Sequence, residues 1–249
     1  SRALVIGQGD MLPGAGLQQG GAGQGMVNAD GIHQVGHQGR LVLPEVSANR
    51  IGVVVEFKQG AIRHGPGVNP GFEGKAVAVA NKRLLIYANA FENSLSDNIA
   101  CMNEYFGAGA DVVVALSPYY YPAQPQEIKA WFKALLDAAN GPLVIYNIPS
   151  TTRVSIPLDV VGDLIGHQRL AGIKDSENIP IRHKELLKRF GGRDDFSIFI
   201  GVGALTTQGL RSGADGIVPS VGNLIPKECQ GQVDAARRDE IGRVAAAFN

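Results

Sequence analysis

The sequence predicts a (β/α)8 barrel, or TIM barrel, as one α/β domain spanning residues 1–249. From about Lys82 onward, short apolar strands alternate with amphipathic helices, a pattern typical of a parallel sheet or barrel. The phrases Gly107–Asp111 and Ser212–Gly216 mark two similar helix-to-strand turns. Six strand–helix units fit residues 82–230, and the chain is long enough for a whole barrel.

Six apolar strands are predicted in this regular part of the chain. Each is a short apolar run bounded by turn residues or helical patterns. The predicted strands are Leu84–Ala88, Val112–Leu116, Leu143–Asn147, Leu170–Lys174, Phe196–Gly201 and Gly216–Ser220.

Helices between these strands follow from apolar spacing. The first carries Leu95, Ile99, Met102 and Phe106 at helical intervals, and Gly107 supplies a stop signal. The second begins after a proline and has one apolar face, formed by Ile128, Trp131, Phe132, Leu135 and Leu136. A third is predicted to open with a proline in its first turn and to bury Leu158, Val161 and Leu164.

Residues 1–80 do not follow this pattern. They hold 17 of the 33 glycines, no aromatic residue precedes Phe57, and no threonine precedes Thr151. The Gly/Gln-rich stretch 14–39 has no helical or strand period and resembles a low-complexity segment. We expect this irregular segment to replace the first two βα units, with candidate strands at Arg40–Leu43, Ile51–Phe57 and Lys75–Ala80.

Composition favours a protein that binds small molecules. The formal net charge is zero and only 18% of residues are charged, which argues against a nucleic-acid partner. No apolar run is long enough to span a membrane, and no signal peptide is visible. The two cysteines, Cys101 and Cys229, form no disulfide framework or zinc motif, so a reducing, cytoplasmic setting is expected.

The five histidines do not suggest a metal centre. No predicted strand or helix frames the three in the irregular segment, His33, His37 and His64. His167 and His183 are predicted to lie on the surface. We therefore expect no metal site.

The strongest chemical signal is a lysine and a tyrosine at the ends of two successive strands. Lys174 ends one strand, and Tyr146 lies near the end of the strand one unit upstream. In a parallel barrel both side chains would emerge at the same rim. Apolar surroundings favour the neutral, nucleophilic amine, and a nearby phenol can transfer protons. The pair therefore suits imine chemistry on a carbonyl substrate.

Simpler interpretations of these residues stay open. Lys174 could be a strand-end lysine paired with Asp175 or Glu177, and Tyr146 could be a core tyrosine. The tyrosines at positions 119–121 could form a packed interface, and Thr151 could be a turn residue.

With both strands placed, the sequence resembles the dihydrodipicolinate synthase / N-acetylneuraminate lyase family of class I aldolases. The resemblance rests on Tyr146–Pro149 and, 28 positions after Tyr146, on Lys174 within Gly172–Asp175. The segments Ser117–Pro122, Gly201–Gly203 and Gly216–Ser220 also resemble the family's strand ends.

The resemblance implies the roles of individual residues. Lys174 would form an imine with pyruvate or another 2-oxo acid, and Tyr146 would relay protons. Tyr120 matches a second tyrosine that often reaches into a neighbouring subunit, and Ser117 would link the two tyrosines. Thr151 would overhang the site. Main-chain groups near Gly201 and Ile217 would help to hold the substrate.

The resemblance also implies partners and assembly. The second substrate would be an aldehyde, no cofactor or metal would be required, and the assembly would be a homotetramer built from dimers. Reaction at the imine would make or break the adjacent carbon–carbon bond. A dehydratase or hydratase of a 2-oxo sugar acid would use the same imine.

The chain departs from the family pattern at three places. The family's Gly-Thr-Thr-Gly-Glu loop is missing, because no threonine precedes Thr151. Thr151 also occupies the place where dihydrodipicolinate synthases carry a carboxylate-binding arginine. The C-terminal helical region is expected to be shortened. A non-catalytic metabolite-binding relative, or a frame error over the first 80 residues, therefore stays open.

Overall fold

The computed structural model describes residues 5–9, 53–57, 85–119 and 121–247. The described strands are β1 (Val5–Gly9), β2 (Val53–Phe57), β3 (Tyr87–Ala90), β4 (Val112–Leu116), β5 (Leu143–Asn147), β6 (Leu170–Asp175), β7 (Ser197–Ile200) and β8 (Gly216–Ile217). The described helices are α1 (Leu95–Gly107), α2 (Pro125–Ala138), α3 (Pro149–Thr152), α4 (Leu158–Leu164), α5 (Pro180–Phe190), α6 (Thr206–Arg211) and α7 (Pro226–Ala247). Short 3-10 helices cover Gly203–Leu205 and Ser220–Asn223.

The described strands curl into a parallel sheet of the barrel type. Each strand pairs with the next along the chain, and β1 also pairs with β8 between Val5 and Ile217. This arrangement confirms the predicted parallel α/β architecture. Because all strands run the same way, their carboxyl ends meet at one rim, where barrels of this kind place their sites.

Alternation along the strands divides the core into two layers. Outward-facing residues such as Val113, Ile145 and Ile173 pack against the helices, together with Phe132 of α2. Inward-facing residues fill the barrel, among them Tyr87, Val112, Val114, Leu116, Val144, Tyr146 and Phe199. The strand period of two therefore decides which side chains enter the interior.

Helix boundaries follow local chemistry. The N-cap Ser94 accepts a hydrogen bond from the Asp97 backbone at the start of α1, and Gly109, with φ of 97°, turns the chain after it. At α2, Gln124 and Glu127 form a capping box and Pro125 occupies the first turn. Pro157 is the N-cap of α4 and so lies just before the position predicted for it.

The strands β4 and β5 have the predicted bounds, whereas β3, β6, β7 and β8 differ from the predicted ones. β3 begins at Tyr87, because the Ile86 backbone N–H donates to the Asp111 carboxylate instead. β8 ends at Ile217, because Pro219 has no N–H and precedes a 3-10 turn. β1 was not predicted, since five residues in a glycine-rich segment carry a weak signal.

One of the three candidate strands in the irregular segment lies among the described residues. β2 lies inside the candidate strand Ile51–Phe57, so that strand is confirmed. The candidates Arg40–Leu43 and Lys75–Ala80, and the Gly/Gln-rich stretch, lie outside the described residues.

Candidate functional site at the carboxyl ends of β5 to β8

Lys174 and Tyr146 are direct neighbours across two paired strands. They are Cα partners in the β5–β6 register. Lys174 Nζ lies 3.9 Å from the centre of the Tyr146 ring, and both residues are buried inside the barrel. The strand order therefore brings the amine and the phenol together, as the sequence predicted.

Lys174 and Asp175 face opposite sides of β6, because successive side chains in a strand alternate. Asp175 is fully buried toward the helices, where its Oδ2 accepts from Arg182 Nε at 2.8 Å and from Asn147 Nδ2 at 3.1 Å. Its Oδ1 accepts from the Glu177 backbone N–H at 2.9 Å. The partners of Asp175 thus come from β5, α5 and the loop after β6.

Charged and polar neighbours keep Asp175 ionised. Burial alone would raise the pKa of this carboxyl, but the His183 hydrogen bond and the Arg182 guanidinium hold it below its usual value. His183 Nε2 lies 3.3 Å from Asp175 Oδ1 and only 5% of His183 is exposed. The prediction of a surface His183 was wrong, because α5 packs its first turn onto the end of β6.

Ser176 joins the tyrosine from the loop after β6, and sequence reasoning missed it. Its Oγ donates to the Tyr146 hydroxyl at 3.4 Å. A Cβ added at Gly201 would collide with Ser176 Oγ and come within 3.5 Å of Lys174 Cε. Glycine at the end of β7 therefore leaves the room that the lysine and serine occupy. The only signal in the sequence was the position of Ser176 two residues after the lysine.

A cavity of about 350 Å³ opens above this pair at the carboxyl rim. Tyr146 forms part of its wall, so the cavity reaches the aromatic ring that Lys174 contacts. Its other lining residues are Ile148, Pro149, Ser150, Ser176, Glu177, Asn178, Gly201, Val202, Val218 and Ser220. Loops after β5, β6, β7 and β8 all contribute, as is typical of barrel sites.

The remaining predicted residues take different places. Ser117 is 2% exposed, and its Oγ has no hydrogen-bond partner among the described residues. Thr151 is exposed in α3 and does not line the cavity, whereas its neighbour Ser150 does. Ile217 packs in the cluster with Cys229 and Val233 of α7. Tyr120 lies outside the described residues.

The described residues were also considered as metal ligands and as membrane-spanning helices. No group of three or more His, Cys, Asp or Glu side chains among them could hold a metal ion. His33, His37 and His64 lie outside that part of the chain. Within it, no helix has both the length and the apolar character needed to cross a bilayer.

Comparison with known proteins decides the family. Residues 72–248 match the sequence model of the Dihydrodipicolinate synthetase family, which is more than half of the chain. The chain belongs to the dihydrodipicolinate synthetase family. The resemblance drawn from the tyrosine and lysine motifs is thereby confirmed.

Curated relatives agree with this assignment. A 4-hydroxy-tetrahydrodipicolinate synthase from Methanosarcina mazei is 27% identical over 164 residues, which cover 66% of this chain and 56% of the relative. One from Methanothermobacter thermautotrophicus is 31% identical over 160 residues, covering 63% and 56%. The chain thus spans somewhat more than half the length of these family members.

Solved structures share the fold. A dihydrodipicolinate synthase from Acinetobacter baumannii complexed with pyruvate superposes with a TM-score of 0.65 and 25% identity, covering 71% of this chain and 60% of that one. An N-acetylneuraminate lyase from Fusobacterium nucleatum has a TM-score of 0.63 and 19% identity, covering 78% and 66%. The second likeness supports the family fold alone.

Proposed function

We propose that this family member is a class I aldolase or lyase that forms an imine between Lys174 and pyruvate or another 2-oxo acid. The observation that carries the proposal is the contact between the buried Lys174 amine and Tyr146 beside the rim cavity. A buried amine next to a phenol is the arrangement that covalent carbonyl chemistry needs. The second substrate is an aldehyde.

The proposed reaction balances without any other reagent. Lys174 Nζ attacks the keto carbon, and the oxygen leaves as water to give a protonated imine. Loss of a proton from the adjacent carbon gives an enamine, whose carbon bonds to the aldehyde carbon while the aldehyde oxygen takes up a proton. Water then releases the product and restores the amine; the reverse sequence cleaves the bond.

Tyr146 and Ser176 are the proposed proton carriers. The Tyr146 hydroxyl accepts from Ser176 Oγ, so a proton leaving the phenol can be replaced from the hydroxyl side. Ser117 and Tyr120 are proposed to extend this relay, and main-chain groups near Gly201, Val218 and Ile217 to hold the substrate. Thr151 stays a proposed rim residue of the loop after β5.

The wider expectations are also proposals. We propose a cytoplasmic homo-oligomer that uses neither metal nor cofactor. Dehydration or hydration of a 2-oxo sugar acid is the alternative reaction at the same imine.

A non-catalytic relative is the second candidate. The absence of any threonine before Thr151 favours it, because the family's carboxylate-binding loop is then missing from the sequence. Such a protein would bind a metabolite without forming an imine.

Reductive trapping separates these candidates. The protein is incubated with pyruvate and sodium borohydride, and its intact mass is measured. An aldolase gains one reduced pyruvyl group, and Lys174→Arg abolishes the gain, while Lys184→Arg on the exposed side of α5 does not. A wild-type protein without the adduct would contradict the imine proposal for pyruvate and favour the binding protein.

A further inference from the structure

Glu177 is the one charged side chain among the described residues that line the rim cavity. It lies three residues after Lys174, at the start of the loop that follows β6. Its side chain is 14% exposed, so it is largely enclosed by neighbouring atoms. The imine chemistry proposed above gives this carboxylate no role.

Two hydrogen-bond donors and one guanidinium hold Glu177 by one oxygen. Oε2 accepts from Ser155 Oγ at 2.6 Å and from Asn147 Nδ2 at 3.0 Å, and forms an ion pair with Arg182 Nε at 3.2 Å. These groups come from β5, the loop after it and α5, which fixes the carboxylate from three directions. Its orientation is therefore set by the fold before any substrate arrives.

The second oxygen of the same carboxylate is left available. None of the described residues donates a hydrogen bond to Oε1, because both donors and the Arg182 guanidinium reach Oε2. A carboxylate oxygen accepts hydrogen bonds only and repels other anions. Arg182 is shared between Glu177 and Asp175, so the two carboxylates together keep a net negative charge, and the described cavity wall adds neither arginine nor lysine.

The rest of the cavity wall suits hydroxyl groups. Ser150, Ser176, Asn178 and Ser220 place hydroxyl and amide groups around the space above Tyr146. A neutral ligand with hydroxyls can donate to Glu177 and exchange hydrogen bonds with these side chains. A ligand with a second carboxylate or a phosphate would place an anion beside Glu177.

We propose that Glu177 is the specificity-determining residue for the second substrate and selects an uncharged, hydroxylated aldehyde over an acidic one. The inference rests on the proposed imine function and adds the class of carbonyl partner to it. Glu177 Oε1 accepts a hydrogen bond from a hydroxyl of the aldehyde, and its charge excludes carboxylated aldehydes.

The test compares aldehydes in the pyruvate addition reaction. The panel is glyceraldehyde, propanal, which has the same carbon skeleton without hydroxyls, succinic semialdehyde, which is anionic, and 3-aminopropanal, which is cationic. For the wild-type protein we expect glyceraldehyde to have a kcat/KM about tenfold or more above propanal. Succinic semialdehyde should be the poorest substrate.

Glu177→Gln is expected to remove the preference for the hydroxylated aldehyde. Ser155 and Asn147 need an acceptor, so the amide oxygen takes the place of Oε2 and the amide NH2 points where Oε1 was. We expect the glyceraldehyde-to-propanal ratio to fall about tenfold and succinic semialdehyde to improve. Asp194→Asn makes the same charge change in the exposed turn before β7 and should behave like the wild type.

Each outcome decides the inference. An unchanged ratio in Glu177→Gln, an equal loss on every aldehyde, or a wild-type preference for succinic semialdehyde or 3-aminopropanal would overturn it. If Glu177→Gln does not fold, the wild-type ranking alone decides. A protein that forms the pyruvate adduct but fails this test keeps the proposed function, whereas a protein without the adduct loses both.

Discussion

At the residue scale, the position of Lys174 follows from the alternation of side chains along β6. Ile173 faces the helices with 0% exposure, so the next side chain must enter the barrel, where Tyr146 lies across the strand pair. The barrel interior holds the amine close to the aromatic ring, beside the rim cavity. This contact makes Lys174 the centre of the proposed chemistry.

Removing the Tyr146 hydroxyl tests the proton relay. Tyr146→Phe keeps the ring that Lys174 contacts but removes the group that accepts from Ser176. We expect imine formation with pyruvate to slow by about 100-fold or more. Tyr119→Phe, which removes another rim phenol, is the control, and stopped trapping at timed intervals measures the rates. Equal rates for wild type and Tyr146→Phe would contradict the relay.

Adding one methyl group tests how tightly the site is packed. In Gly201→Ala the new Cβ collides with Ser176 and approaches Lys174, so adduct formation should fall at least about tenfold while the fold survives. Gly203→Ala, two residues away, meets nothing within 4 Å and should match the wild type. Trapping yield together with circular dichroism checks both variants. Full activity in Gly201→Ala would argue against a site at this rim position.

At the scale of elements, a buried ion cluster joins β5, β6 and α5. Arg182 donates to the Asp175 carboxylate and to the Ile156 carbonyl, and Asn147 bridges to both acidic residues after Lys174. The cluster thus ties the end of β6, and with it Lys174, to the surrounding layer. Breaking a buried pair by removing one partner leaves a desolvated charge and is strongly destabilising.

The stability contribution of Asp175 depends on pH in a defined direction. Its pKa in the folded protein is below the ordinary value, so its ionised form stabilises the fold above about pH 4, the usual unfolded range. We expect Asp175→Asn to lower the free energy of unfolding at pH 7 by about 3 kcal/mol. The difference from wild type should shrink as the pH falls below about 4, because the wild-type carboxyl then becomes protonated.

Urea unfolding at pH 7 and at pH 3.5 measures this effect. Asp159→Asn, at an 87% exposed position paired with Arg189, is the control and should change little. If the difference in the free energy of unfolding between wild type and Asp175→Asn grew as the pH falls, the pKa of Asp175 would be raised rather than lowered.

Some elements could be predicted from sequence and others could not. β4 and β5 are continuous apolar runs with prolines close to their ends. The apolar pattern and the turn residues therefore indicated the same strand bounds. β6 extends one residue further, to Asp175, because that carboxylate is held by Asn147 and Arg182. Such contacts come from residues brought together by the fold, which a local pattern does not encode.

The residues of the candidate site also fall into two groups, those that could be predicted from the sequence and those that could not. Lys174 and Tyr146 could be placed together because parallel strands fix their register. Ser176, Glu177 and the burial of His183 could not, because they depend on how the loop after β6 and the first turn of α5 pack. The sequence predicted that main-chain groups near Gly201 help to hold the substrate. The structure shows in addition that the missing side chain leaves space for Ser176 and Lys174.

At the scale of the whole molecule, the barrel rim collects groups that are distant in sequence. The cavity draws on loops after four successive strands, β5 to β8, and the Lys174–Tyr146 pair lies on the first two of them. Family membership is established over residues 72–248, and this part contains every described residue of the proposed site. The proposed activity should therefore depend on the family-like part of the chain.

The proposed imine between Lys174 and a 2-oxo acid can be tested by locating the trapped adduct in the sequence. The protein is trapped with pyruvate and borohydride, digested, and the modified peptide is sequenced by mass spectrometry. We expect a single reduced pyruvyl group on Lys174. An unmodified Lys174, or a modification spread over the exposed lysines, would contradict it.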